Sequence, residues 1–142
     1  MTTDRVPPRP IRNPMVKREN VRFSHPSEEE FARVLDFYGI EWRYETTTFP
    51  LQWNEKGIVM EAFSPDFYLV DADLYVELTT LRPSLMRFKK RKIRRIKELY
   101  PEVHIKLWTR NDFMRFLEHF GRAEHSGSLV GKEAVEEQNA AS

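Results

Sequence analysis

The sequence predicts an α/β domain, a mixed sheet flanked by helices. Three observations carry that expectation. A capped amphipathic segment opens the folded region, β-rich segments follow in succession, and a long helical segment then leads to one further strand. Strands joined by short turns pair antiparallel, whereas a strand reached through a crossover helix adds in parallel, so the sheet is mixed. At 142 residues the chain has room for one domain with a core of ordinary size.

The elements are read in order. Residues 1–22 hold Pro7, Pro8, Pro10 and Pro14 among Arg, Asn and Lys, and are expected to form a flexible, extended arm. Ser27 and Glu30 have capping-box spacing; Phe31, Val34, Leu35 and Tyr38 follow at helical intervals, and Gly39 closes the helix. Glu41–Leu51 is rich in aromatic and β-branched residues, Asn54–Gly57 is a turn, and Ile58–Phe63 resumes a strand. Phe67–Val70 and Leu74–Thr79 are strands on either side of a tight turn, Asp71-Ala72-Asp73. Pro83 suits the first turn of a helix running to Leu99, and Pro101 follows its end. Val103–Trp108 alternates as a strand, and Thr109 or Asn111 caps a last helix, 112–120, ended by Gly121. Residues 122–142 are small, polar and aperiodic, a flexible tail, which leaves 23–121 as the folded domain. Four strand segments are named before the second helix, and the order taken for the fold, α-β-β-β-α-β-α, uses three strands there.

Composition removes several function classes. Cysteine is absent, which excludes disulfides, thiol nucleophiles and cysteine metal sites together. No apolar run approaches the roughly 20 residues that span a bilayer, and the start has no signal-peptide core, so no membrane partner and a cytoplasmic location are expected. Five glycines form no phosphate loop, and the four histidines have no ligand spacing such as HExxH. The net charge of +1 conceals an asymmetry. Nine Lys/Arg and no Asp/Glu lie between Arg82 and Lys97, so the remaining residues carry −8. Such a concentrated basic segment is a localised footprint for a polyanion.

Pro65-Asp66 enters one strand and Glu77 ends the next. A tight turn at 71–73 brings their carboxylates together at one end of the hairpin, where they repel unless they share a proton or a hard cation. Oxygen donors of this kind suit Mg²⁺ or Mn²⁺. Thr79 shares the Glu77 face, two residues on. On the basic helix, Leu85, Phe88, Ile93, Ile96, Leu99 and Tyr100 form an apolar stripe into which Lys89 and Lys92 point. A lysine there requires an acidic partner or a polar cavity.

The element order, with Pro65-Asp66 and Glu77-Leu78-Thr79, resembles the αβββαβ core of the PD-(D/E)XK, or restriction-endonuclease-like, nucleases over about residues 24–120. HPSEEEFARVLDFYGI, PDFYLVDADLYVELTT and RKIRRIKELYPEV are similar to a small bacterial family of this fold. Its members are sometimes fused ahead of a hypoxanthine phosphoribosyltransferase and then carry that enzyme's name. The resemblance implies a metal-dependent nuclease with Asp66 and Glu77 as ligands of Mg²⁺ or Mn²⁺ and Glu28 completing the site, Glu30 being second choice. The pattern has a lysine where this chain has Thr79, and a lysine moved to the following helix is a known variation, with Lys89 the first candidate and Lys92 the second. Arg87, Lys90, Arg91, Arg94 and Arg95 are then expected to hold the nucleic-acid backbone. A homodimer is left open, since many nucleases of this fold act in pairs.

Blander readings compete. Pro-Asp is common turn chemistry, Glu77 alone could face solvent, and long basic side chains often cover apolar neighbours on surface helices. The rival functional expectation is a weakened or inactive nuclease-fold module that binds nucleic acid or a protein through residues 82–97. No acidic pair followed by a Thr/Gly-rich phosphate loop supplies a phosphoribosyltransferase domain. The purified protein is therefore expected to show no nucleobase phosphoribosylation, and clear turnover in that assay would refute the expectation.

Overall fold

The structure, a computed structural model, describes residues 6–80 and 82–126, the last six as backbone alone. In chain order it contains β1 (Ile11–Arg12), a short 3₁₀ turn (Arg18–Asn20), α1 (Pro26–Phe37), β2 (Trp42–Tyr44) and β3 (Thr47–Trp53). Then come β4 (Val59–Phe63), β5 (Phe67–Leu69), β6 (Leu74–Leu78), α2 (Pro83–Leu99), β7 (Ile105–Trp108) and α3 (Arg110–Ser126). The molecule is a mixed α/β fold with two sheets. A four-stranded sheet has the order β2-β5-β6-β7, antiparallel except for the parallel β6–β7 pair, and a three-stranded antiparallel sheet has the order β1-β3-β4.

The expected mixed four-stranded sheet is present, but the strand count before α2 was too low. The single strand expected over 41–51 is two strands belonging to different sheets. Glu45, at φ 44°, breaks it in the left-handed region, and its N–H bonds to the Asp66 carbonyl at 2.9 Å while the chain turns away. The helix boundaries also move. His25, not Ser27, caps α1, because Pro26 sets the first helical turn and the His25 Nδ1 accepts from the Ser27 N–H at 3.1 Å. Thr109 caps α3 in reciprocal bonds with Asp112, and that helix runs through Gly121 to Ser126, since one glycine costs a helix too little to end it. Within the expected arm, β1 pairs with β3, and Asn13 bonds to Thr46 and Glu45. Residues 1–5 and 127–142 of the expected arm and tail lie outside the described residues.

Strand alternation gives the four-stranded sheet two apolar faces. Phe67, Leu69, Leu74, Val76 and Trp108 pack with Phe31, Leu35, Phe113 and Phe116 of α1 and α3. Tyr75, Ile105 and Leu107 on the other face pack with Ile93 and Ile96 of α2 and with Phe49 and Leu51 of β3. α2 is thus wedged between the sheets, and residue 77 falls on its side of the hairpin. Among the described residues no helix is long and apolar enough to cross a membrane.

The Tyr100 hydroxyl lies 2.9 Å from the carbonyl oxygens of both Pro8 and Pro50, so one proton ties the end of α2 to the N-terminal segment and to β3. Tyr100→Phe is expected to cost about 1–2 kcal/mol in urea unfolding, and an unchanged midpoint would show that the tie carries no net stability.

Candidate active site at the hairpin end

The turn at 71–73, with Asp73 at φ 50°, sets Phe67 opposite Val76 and Leu69 opposite Leu74. That register places Asp66 opposite Glu77. Each carboxylate bonds to the other strand: the Asp66 N–H donates to Glu77 Oε1 at 3.0 Å, and the Leu78 N–H donates to Asp66 Oδ2 at 3.0 Å. Both residues are buried, at 8% and 5% exposure. From α2, Lys89 Nζ reaches Glu77 Oε2 at 3.0 Å and donates to the Leu78 carbonyl at 2.6 Å. The ammonium therefore lies at the hairpin end where the helix phase directs it.

Glu28 comes from the first turn of α1, on the same side of the helix as Phe31, and is also buried. Its Oε1 accepts from the Tyr44 hydroxyl at 2.6 Å and the Ser24 N–H at 3.1 Å. Its charge is felt at Asp66 and Glu77. Three carboxylates against one ammonium leave the cluster negative. Burial, then the charges of Glu77 and Glu28, push the Asp66 carboxyl up to about 8, against the pull of the Leu78 N–H and Lys89. Burial also raises Glu77, although Lys89 draws it back.

The other expected site residues divide. Thr79 lies beyond Glu77, but its hydroxyl donates to the Thr80 carbonyl at 3.2 Å. Lys92 turns to the other sheet, 3.6 Å from Glu61. Arg87, Lys90 and Arg94 are exposed and make no ion pair among the described residues, whereas Arg91 pairs with Glu61 at 3.1 Å. Arg95 spends its Nε on the Leu51 carbonyl. Glu30 pairs with Arg110 instead of capping α1. Sequence reasoning missed Glu45, whose carboxyl is raised by burial and by Glu28. Only its left-handed backbone distinguishes it, and the surrounding β-rich run conceals that.

Beside the cluster opens a cleft of about 680 Å³, with Glu28, Thr79 and Lys89 among its walls. Ser27 in the first turn of α1, Arg82 just before α2 and Arg110 at the start of α3 also line it. Helix N-termini carry partial positive charge, and Arg82, Lys89 and Arg110 add cations to walls that also hold the acids Glu28 and Glu30. Among the described residues no group of three or more His, Cys, Asp or Glu side chains is gathered as a metal cage. The donor set still fits a hard divalent cation in its chemistry, since Asp66 and Glu77 offer carboxylate oxygens, those of Glu77 being engaged by the Asp66 N–H and by Lys89.

The sign of the pH effect follows. An Asp titrating near 8 when folded and near 4 when unfolded binds a proton in the folded state across that window, so stability falls as pH rises through it. Asp66→Asn keeps an acceptor for the Leu78 N–H and removes the charge. In metal-free buffer at pH 9 it is expected to stabilise the protein by about 1–3 kcal/mol in urea unfolding and to flatten the decline from pH 5. A variant less stable than wild type at pH 9 would contradict this account.

No protein-family model, curated protein or solved structure matches the chain, which leaves the geometry of this site to speak for its function.

Proposed function

We propose that the protein is a metal-dependent phosphodiesterase of the PD-(D/E)XK kind that cuts nucleic acid at the Asp66–Glu77 end of the hairpin. The observation that carries this reading is the Lys89 ammonium, 3.0 Å from Glu77 on a hairpin whose strand has Thr79 at the lysine position of the resembled nucleases. A cation fixed there can orient a water molecule and offset charge developing on a phosphate. The restriction-endonuclease-like assignment belongs to the same proposal, supported by the mixed sheet, the α1 and α2 placements and the parallel β7.

Asp66 and Glu77 would hold Mg²⁺ or Mn²⁺, with Glu28 as the third donor. Such an ion supplies Lewis acidity toward the phosphate and a nucleophile at neutral pH. The residues of the chain supply the positioning. Backbone N–H groups fix one oxygen of each carboxylate, which aims the remaining ones. Arg82, Arg110 and the helix N-termini of the cleft receive the phosphodiester, and the exposed cations of α2 hold the backbone beyond it. A cytoplasmic setting and assembly as a homodimer are compatible with this chemistry.

One observation favours the rival, a module that binds nucleic acid or protein without cutting. The Glu28 carboxylate is already engaged by Tyr44 and Ser24, so a third donor has to be released. Plasmid and oligonucleotide cleavage with Mg²⁺ or Mn²⁺ separates the two readings. Asp66→Ala and Glu77→Ala are each expected to lower cleavage at least about 100-fold, Lys89→Ala similarly, and Thr79→Ala by only a few-fold. Cleavage that survives both carboxylate changes sinks the enzyme, and metal-independent binding without cleavage establishes the module.

A further inference from the structure

α2 exposes a ring as well as charge. Phe88, next to Lys89, is 50% exposed. Lys92 Nζ lies 4.5 Å from the centre of its ring and 5.7 Å from that of Phe63, and Arg91 Cζ lies 5.9 Å from Phe88. Glu61 holds both cations, Arg91 at 3.1 Å and Lys92 at 3.6 Å, so the ring has fixed positive neighbours. Arg87, Lys90 and Arg94, exposed and without an ion pair among the described residues, lie about 100° or more around the helix from it. Arg87 to Arg94 spans about 10 Å at the helical rise.

We infer that Phe88 is a stacking platform for an unpaired nucleobase, so that the nucleic acid held by α2 is single-stranded or locally unpaired. The inference rests on the nucleic-acid reading above and names its substrate class. Cations alone would serve a duplex, whose bases are already stacked on both faces. A half-open aromatic ring among them adds a surface that only an unstacked base can cover, and such stacking is indifferent to sequence. The Lys92 ammonium, 4.5 Å from the ring centre, covers part of the ring, and the half that is exposed is the surface offered to a base.

The test is fluorescence anisotropy on the full chain in EDTA, so that binding is read without cleavage. The probes are a 12-nucleotide oligothymidylate, the same strand built of abasic sugars, and a 12-base-pair duplex. The oligothymidylate is expected to bind about tenfold tighter than the abasic strand. Phe88→Ala should remove most of that difference and leave abasic and duplex affinities within twofold, while Phe88→Trp preserves it. Because residue 88 is exposed, near-ultraviolet dichroism checks the fold of both variants. Equal losses on all three probes, equal wild-type affinities, or no binding at all would overturn the inference. Base-dependent binding without metal-dependent cleavage would uphold it and refute the enzyme reading alone.

Discussion

Two buried carboxylates face each other across the β5–β6 hairpin, and much of the local architecture answers to them. Ionised side chains withdrawn from water are costly unless every oxygen finds a donor. Here the donors are the backbone N–H groups of Asp66 and Leu78 and the ammonium of Lys89. The Asp66 carbonyl in turn accepts from Glu45, the residue at which the chain leaves one sheet for the other. β5, β6, the β2–β3 junction and α2 therefore meet at one polar knot. Slipping β5 by one residue would carry Asp66 to the opposite face, among Phe31 and Trp108, and away from Glu77 and Lys89.

The same knot explains the two-sided character of α2. Ile93 and Ile96 hold it against both sheets, and Lys89 occupies the next inward position toward the helix start, where the apolar stripe gives way to the carboxylates. Lys92, one turn on, meets Glu61 of β4. The two inward lysines thus join the helix to the two sheets, one each. Once these lysines are committed inward, the remaining cations fall on the outer face, and Arg87, Lys90 and Arg94 have no acid to meet among the described residues. The basic exterior is a separate property from the ion pairs that seat the helix. A polyanion can occupy it without disturbing them.

How much of this was legible in the sequence depends on whether the governing interaction is local. The opposition of Asp66 and Glu77 follows from one turn and the two-residue strand period, and the inward phases of Lys89 and Glu28 follow from helix geometry. Those placements were open to arithmetic. The division into two sheets was not, because Glu41–Leu51 has uniform β character and its break at Glu45 is imposed by a long-range bond to Asp66. His25 as cap was hidden for a simpler reason: Ser27 is the more usual capping residue, and Pro26 moved the start. Gly121 was read as a stop when α3 passes through it. Which acid Lys92 would meet also depended on the unseen placement of β4.

Charge balance brings the metal proposal to its sharpest form. Glu28, Asp66 and Glu77 carry three negative charges when ionised, and Lys89 returns one. On the proposed reading a divalent cation would offset much of that deficit. Without such an ion the cheapest remedy is a proton, and burial and neighbouring carboxylates raise Asp66 accordingly. In the proposed site, proton and cation would compete for the same oxygens, and binding a divalent ion near neutral pH would release protons. The lysine's position on a helix matters to this exchange. A lysine at residue 79 would be fixed by the strand to the Glu77 face, whereas Lys89 reaches the same hairpin end on a long stem from a separate element. On the proposed reading Asp66 and Glu77 would hold the ion, and the bond of Lys89 to the Leu78 carbonyl would keep the ammonium at the hairpin end. That placement would let one residue neutralise Glu77 before the ion binds and serve the phosphate afterwards.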